Sequence, residues 1–490
     1  MMDAKKLLSA ISYIEQHGSV ESIHVNSIVF DSRKVTANDI FVATHGTQVD
    51  GHQYIDKAID LGAKIIVCEE LPATLNPEIA YYQVKSSQES LGILAAAFYD
   101  FPTQKLKVIG VTGTNGKTST TSMLYQLFTN LGYKVGLLST IDIKIAGEVT
   151  TATHTTPDAI SIQANMARMV DAGCTYCFME VSSHAIDQQR IAGIQFCGAV
   201  FTNITHDHLD YHKTFANYIQ AKKTFFDNLT TNSFALINLD DKNGKVMIQN
   251  TRARTKTFSM RSASDYQVRI IDMSKSDMTI KIDQQELILN IVGEFNAYNA
   301  LSAYAVALEL GMSKEEVLIQ LSKIAPVEGR MDIIVSAKGN VTGVIDYAHT
   351  PDAVEKALVE IGKMRKIGKI ITVIGCGGNR DQTKRPIMAK LATKFSDQVI
   401  LTSDNPRNED PKVIIQEMKT GLLPDEAKKS ITVVDRREAI NTACMLAESN
   451  DIIALIGKGH EKYQEINGEK LPFDDKAELQ NAMNIHIHEN

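Results

Sequence analysis

The apolar run Lys107-Val108-Ile109-Gly110-Val111 leads through Thr112 into Gly113-Thr114-Asn115-Gly116-Lys117-Thr118, where a helical pattern begins. A short, continuous apolar segment suits a buried parallel strand. Met123, Leu124, Leu127, Phe128 and Leu131 then fall on one helix face, with Gly132 placed to end it. Lys134-Val135-Gly136-Leu137-Leu138 supplies the next strand and completes a βαβ unit. That unit commits this part of the chain to a parallel sheet covered by helices. It also makes an anion site, because glycines let backbone N–H groups close on phosphate oxygens and the helix N-terminus adds favourable partial charge. Lys117 would reach the β and γ phosphates of ATP, and the Thr118 hydroxyl suits Mg2+. The spacing departs from the strict pattern, since five residues rather than four separate Gly110 from Gly116.

The 490 residues are too many for one ordinary core. Three domains are expected, over 1–101, 102–328 and 329–490. The first mixes helices with short strands such as Asp39-Ile40-Phe41-Val42-Ala43 and Lys64-Ile65-Ile66-Val67. Tyr99-Asp100-Phe101-Pro102-Thr103-Gln104 has turn chemistry and reads as a linker. In the third, strand and helix patterns alternate from Ile370-Ile371-Thr372-Val373-Ile374 to Ile452-Ile453-Ala454-Leu455-Ile456. That predicts a doubly wound, Rossmann-like domain, so the fold class is α/β, with a parallel or mixed central sheet around the phosphate loop.

A net charge of −7 argues against a general nucleic-acid or anionic-membrane surface. No apolar run approaches bilayer length, and the amphipathic start is not a signal peptide's apolar core, so a cytoplasmic protein is expected. Six cysteines make no disulfide framework in a chain this long. Cys174-Thr175-Tyr176-Cys177 has redox-type spacing but enters a strand, which predicts buried structural thiols.

Two further segments follow strands of the central block. Glu180-Val181-Ser182-Ser183-His184 ends one, and Asn203-Ile204-Thr205-His206-Asp207-His208-Leu209-Asp210 follows Ala199-Val200-Phe201. Open α/β sheets bind ligands at such carboxyl ends. Glu180 and His208 are therefore candidate ligands for a second divalent cation in phosphoryl transfer.

These motifs resemble those of the Mur ligases of bacterial cell-wall synthesis. So do Asn296-Ala297-Tyr298-Asn299-Ala300, Gly329-Arg330-Met331 and Asp346-Tyr347-Ala348-His349-Thr350-Pro351-Asp352. The match runs from Asp31-Ser32-Arg33 to Gly457-Lys458-Gly459-His460-Glu461, and the irregular glycine spacing is the family's own. The resemblance implies a domain for a UDP end, a central ATPase and a domain for an incoming amino acid. It implies an ATP- and Mg2+-dependent amide ligase acting on UDP-MurNAc-L-Ala-D-Glu through an acyl phosphate, working as a monomer on small-molecule substrates. By the same likeness Ser32, Thr47 and Gln48 contact the uridine diphosphate. Thr155, Thr156, Ser182, Gln188 and Arg190 bind the muramoyl dipeptide, and Ser119, Asn299, Arg330 and Asp346 join residues 113–118 around the nucleotide. Lys222 matches the family lysine that reacts with CO2 to give a metal-bridging carbamate. From composition alone it reads as a solvated charge on a polar helix face.

In the third block, Arg380 and Arg407 could grip a carboxylate through paired N–H bonds, and Asp404 and Glu461 could receive an ammonium. Within the family, Asp404-Asn405-Pro406-Arg407 has the form found in enzymes that add meso-diaminopimelate, with Gly457 completing the pocket. The lysine-adding relatives lack this arginine. Lysine has no distal carboxylate and would leave such arginines unpaired, at about 1–3 kcal/mol per buried group. The same ligation with L-lysine, or another Mur- or folylpolyglutamate-type ligation, is the alternative.

Overall fold

Apolar residues on both faces of a strand leave it no place except between two covering layers. The computed structural model, which describes residues 2–46, 49–152, 154–274, 276–336 and 339–487, shows this for the buried parallel strands of its three larger sheets. The described residues form two compact units. The first comprises Met1–Gly113, Thr120–Asn203 and Ala216–Phe258, and the second Thr114–Ser119, Ile204–Phe215 and Ser259–Asn490.

The first unit opens with a sheet in the order Glu15–His17, Ala80–Gln83, Ile65–Cys68, Ile40–Val42, Ile28–Val29, parallel except for the first strand. Ile40, Val42, Ile65, Val67, Ala80 and Tyr82 pack on one face with Leu91 and Leu94 of the helix Ser87–Phe98. Phe41, Ala43, Ile66, Cys68 and Tyr81 pack on the other with Ile55 and Ala58. The period of two is therefore present although the sequence reads as unbroken apolar runs.

The same unit holds the central sheet. Its order is Glu148–Thr151, Asp142–Ile145, Val135–Leu138, Tyr176–Glu180, Lys107–Thr112, Phe196–Phe201, Phe234–Asn238, Arg254–Ser259. Six strands from Val135–Leu138 onward are parallel, and the first two form an antiparallel edge. The strand Tyr176–Glu180 lies between the two strands of the predicted βαβ unit. Residues 112, 180 and 201 consequently end side by side at the carboxyl edge, where the segments carrying the phosphate loop, Ser182 and Asn203 leave the sheet.

The second unit contains an antiparallel ribbon, Tyr266–Met273, Met278–Ile282 and Gln285–Leu289, packed on the helix Glu294–Glu309. Its larger sheet runs Asp332–Val335, Thr342–Asp346, Ile452–Ile456, Ile370–Ile374, Gln398–Leu401, Ser430–Thr432, all parallel but the first. Val344, Ile370, Val399 and Ala454 pack with Val354, Leu358 and Met388 on one face. Ile345, Val373, Ile400 and Ile453 pack with Ile440, Ala443 and Leu479 on the other. Helices follow Thr342–Asp346 and Ile370–Ile374 on the first face, whereas the last strand between them is followed by Asp475–His486 on the second. A crevice at the carboxyl ends results, as doubly wound sheets form at such a reversal. The helix Lys384–Phe395 carries Pro386 in its first turn, which tolerates it because its missing N–H would have no intrahelical partner.

Candidate active site

Gly113 follows the strand Lys107–Thr112 with φ +153°, and a Cβ there would collide with the Thr202 hydroxyl. Only glycine lets the loop pass this close to its neighbour. In the same unit Lys222, on the helix Phe215–Asp227, is 1% exposed and donates from Nζ to the Gly113 carbonyl at 3.0 Å, with the Tyr218 ring 4.7 Å away. The expectation of a solvated charge from composition is thus wrong. The polar pattern of that helix hid a buried face that includes Tyr218, Phe225 and Phe226.

Glu180 ends the strand Tyr176–Glu180 and is fully buried. Its two oxygens accept from the Thr140 backbone N–H at 2.7 Å and the Thr140 hydroxyl at 3.0 Å. The Thr155 hydroxyl lies 3.1 Å from Thr140 Oγ1 and is the donor there, since the one Thr140 proton goes to the carboxylate, while Thr156 donates to the Glu180 carbonyl at 2.9 Å. The Ser182 N–H donates to Thr156 Oγ1 at 3.1 Å, and Arg190 reaches the Thr156 carbonyl at 3.0 Å while gripping Gln188 Oε1. The six residues 155, 156, 180, 182, 188 and 190, drawn from three sequence segments, are one network. Thr140 was not foreseen, because nothing marks it except its place after a strand.

At the N-terminal end Ser32 is buried in the short 3₁₀ turn Ser32–Lys34. Arg33 binds both oxygens of Asp31 at 2.9 and 2.8 Å and, through that hydrogen bond, holds the carboxyl near pKa 2. Thr47 and Gln48 lie outside the described residues. Nearby, His45, Asp50 and His52 have metal-like spacing, the one such group among the described residues. The backbone donor decides the tautomer. His52 Nε2 accepts the Glu69 N–H at 2.9 Å, so its proton is on Nδ1, 2.7 Å from Asp50 Oδ1. Both ring nitrogens are committed, and His52 has no lone pair for a cation.

In the second unit, Lys117 opens the helix Lys117–Asn130 and folds back on the Thr114 carbonyl at 2.9 Å. Asp352, at the start of Pro351–Met364, accepts from Asn115 at 2.9 Å, Thr205 at 3.0 Å and Lys356 at 2.9 Å. Thr114 Oγ1 in turn accepts the Thr205 N–H at 3.0 Å. Arg330 donates to Thr118 Oγ1 at 3.3 Å with its guanidinium 4.6 Å from the Tyr347 ring. Asp346 is buried and accepts the N–H groups of Met331 and Ala348 at 2.8 and 2.9 Å, fixing the backbone on either side of it; burial pushes its carboxyl upward. Asn299 is buried beside Asn296, to which it donates at 3.1 Å. His208 takes a left-handed backbone with φ +54° and lies 3.4 Å from Asp207. Burial alone would raise the Asp207 carboxyl, but His208, His349 and Lys117 hold it below the ordinary range.

ATP and Mg2+ fit the donor chemistry present. The Thr118 hydroxyl and Glu180 carboxylate are hard oxygen donors of the type Mg2+ takes. Arg330 Nε is a buried donor with no partner among the described residues, suited to an anionic or hydroxyl oxygen.

The expected amino-acid residues mostly converge. Asp404, Asn405 and Lys458 are buried, and Lys458, 0% exposed, donates to Asn405 Oδ1 at 3.0 Å and Glu461 Oε2 at 3.1 Å. Asn405 Nδ2 donates to the same Glu461 oxygen at 2.7 Å. Gly457, with φ +123°, passes Asp404 so closely that a Cβ would lie 2.6 Å from Oδ2. Arg407, following Pro406, has φ +51°; it pairs with Glu465 at 3.1 Å and donates to the Gly378 carbonyl at 2.8 Å. Its backbone is bonded both ways to the hairpin of Tyr463–Ile466 and Glu469–Pro472, N–H to Glu465 at 3.0 Å and carbonyl from Asn467 at 2.7 Å. Arg380 is exposed and is not drawn into this network. Lys458 and Glu465 were missed, since no spacing rule distinguishes a buried lysine from a solvated one.

Family models match residues 24–99 (Mur ligase family, catalytic domain), 111–307 (Mur ligase middle domain) and 329–459 (Mur ligase, glutamate ligase domain). A protein of Cytophaga hutchinsonii named UDP-N-acetylmuramoyl-L-alanyl-D-glutamate--2,6-diaminopimelate ligase is 53% identical over 476 residues, 97% of this chain and 98% of its own. The chain belongs to the Mur ligase family. A Mur ligase of Bacteroides fragilis with the same name is 49% identical over 99% of this chain and all of its own. A solved Mur ligase of that name is 31% identical with a TM-score of 0.67, over 94% of this chain and 95% of its own. MurF of Thermotoga maritima, solved with ADP, shares the fold at 18% identity and a TM-score of 0.60, over 89% and 95% of the two chains. The α/β class and three-domain architecture read from the sequence are those of these Mur ligases. No helix among the described residues is long and apolar enough to cross a membrane.

Proposed function

We propose that this Mur ligase uses ATP to join meso-diaminopimelate to the D-Glu γ-carboxylate of UDP-MurNAc-L-Ala-D-Glu, a step in building the peptidoglycan precursor. The observation that carries the reading is the Asp404-Asn405-Pro406-Arg407 loop, held against Glu461 and Lys458 in a chain 53% identical to a ligase of that name. A carboxylate is a poor electrophile. Its oxygen attacks the γ-phosphorus of ATP and ADP leaves; the amine nitrogen then attacks the acyl carbon, phosphate leaves, and the nitrogen loses a proton to give the amide.

The chain's own residues bind and orient. Residues 113–119 cradle the phosphates, with Asn299, Arg330 and Asp346 around the rest of the nucleotide. Thr155, Thr156, Ser182, Gln188 and Arg190 hold the muramoyl dipeptide, and Ser32, Thr47 and Gln48 the uridine diphosphate. Thr118, Glu180, His208 and a carbamate on Lys222 would hold Mg2+, which offsets charge on the transferring phosphoryl group. Carbamate formation replaces a buried cation with a buried anion, which fits a lysine that is 1% exposed. Arg380, Arg407, Asp404, Asn405, Pro406, Gly457 and Glu461 receive the amino acid's distal zwitterion. We assign residues 1–101 to the UDP end, 102–328 to ATP and 329–490 to the amino acid, in a cytoplasmic monomer.

The test is phosphate release with UDP-MurNAc-L-Ala-D-Glu and either meso-diaminopimelate or L-lysine. Selectivity for diaminopimelate of at least about a hundredfold is expected, and Arg407→Ala should reduce it by about tenfold or more. Equal turnover of the two amines, or unchanged selectivity in the variant, overturns the reading.

A further inference from the structure

Two carboxylates, Asp404 and Glu461, and one ammonium, Lys458, form a largely buried cluster. Lys458 Nζ is 3.1 Å from Glu461 Oε2 and 3.9 Å from Asp404 Oδ1, so the trio carries one uncompensated negative charge. Asn405 ties the group together by donating to Glu461 Oε2 and accepting from both Lys458 and the Glu465 N–H. Both bonds to Glu461 fall on Oε2, and Oε1 has no partner among the described residues.

The remaining groups around the trio do not cancel the charge. Arg436, from the helix Arg436–Leu446, is bound through two nitrogens to Asp475 at 2.7 and 2.6 Å. Burial raises the Tyr347 phenol and so keeps it neutral, and burial holds the neighbouring His460 imidazole near pKa 3, hence neutral.

Resting on the reading of Glu461 as acceptor of the substrate's ammonium, we infer that Lys458 is a positioning residue: it holds Glu461 as a carboxylate, with Oε1 turned to the one incoming cation. Without Lys458, burial and the Asp404 charge both push Glu461 toward its protonated form, in which it no longer pairs ionically with an ammonium. The defect is therefore one of binding, and it shrinks as pH rises.

The experiment measures KM for meso-diaminopimelate by phosphate release in wild type and Lys458→Met from pH 7 to 9.5, as a ratio at each pH. A ratio of about ten or more at pH 7 is expected, falling to about two by pH 9, with kcat changed less than about threefold; one unit of pKa is a tenfold effect. Glu461→Gln should raise KM with no recovery at high pH, and Lys458→Arg, which keeps the charge, should restore the wild-type profile. If Lys458→Met does not yield folded protein, Lys458→Gln takes its place under the same expectations. A pH-independent ratio, or a loss confined to kcat, overturns the inference. Wild-type enzyme that releases no phosphate with diaminopimelate sinks instead the functional reading on which it rests.

Discussion

Two of the buried cations around the doubly wound sheet of the second unit, Arg436 and Lys458, have different surroundings. Arg436 and Asp475 are both 0% exposed by side chain and meet through two short hydrogen bonds, one charge against one. Lys458 faces two carboxylates, 3.1 and 3.9 Å away, with Asn405 between them. Both arrangements cost desolvation, and neither is by itself evidence of stabilisation. The closed pair leaves no net charge, only the Arg436 Nη1 donor without a partner among the described residues. The open trio leaves one charge and one oxygen, and that remainder gives a ligand something to bind.

The largest expected effect lies on the closed side. Arg436→Met strands the Asp475 carboxylate in the core and should lower unfolding free energy by about 3–5 kcal/mol in a urea titration, with Asp475→Leu added to it recovering most of the loss. A larger change in KM for diaminopimelate than in stability would break the distinction between the two sites. On the open side, Glu461→Gln should reduce kcat/KM by about 30- to 100-fold, roughly 2–3 kcal/mol, with less than about 1 kcal/mol of stability lost. Equal losses in stability and activity would make the trio merely structural.

Glu180 extends the comparison to a buried carboxylate held by the neutral donors of Thr140. Thr140→Val removes the hydroxyl but keeps the backbone N–H. It should cost about 1–2 kcal/mol in kcat/KM for ATP-dependent ligation. Unaltered kinetics would show that the backbone donor suffices. The smallest effect expected is at the cysteines, which bury uncharged groups. Burial raises Cys177 and Cys174, and raises Cys376 and Cys444 to about 12 and Cys68 to about 11. A raised pKa leaves these thiols protonated as pH climbs toward 9. The Cys197 thiol is raised by desolvation as well, so access decides: in the native enzyme a colorimetric thiol reagent should react at Cys197 alone, the one cysteine not buried, and with all six after denaturation. Fast reaction or disulfide formation at Cys174 and Cys177 would revive the redox interpretation of that spacing.

What could be read in advance follows from how local the signals are. The strand Ile370–Ile374 and the strand Ile452–Ile456 occur where their apolar runs stand, because a fully buried parallel strand has no competing pattern at that length. The loop at 113–118 and the segments after residues 180 and 201 could be placed because strand ends fix where ligands bind. Burial of lysines could not be read. Lys222 and Lys458 both look like solvated charges, and their burial depends on partners 109 residues away in one case and 53 in the other. The role of Asp352 was equally invisible, since its partners Asn115 and Thr205 are distant in the chain. Arg380, read as a carboxylate grip from its place after a strand, lies exposed and outside the hydrogen-bonded cluster.

Arg407 is fastened at its backbone N–H, at its carbonyl and at its guanidinium, all three to the hairpin that ends at Pro472, and the guanidinium also to the Gly378 carbonyl. A residue gripped this way is not a free variable for anyone wishing to retune the enzyme. Exchanging it alone would leave Glu465 and the Gly378 carbonyl facing a gap while the loop kept the old outline. On the proposed role of Arg407, amine preference would be inherited as a cassette of loop plus hairpin. Transplanting the two together is the rational unit of redesign, and a length change in the hairpin should disturb amine choice without any contact to the amine.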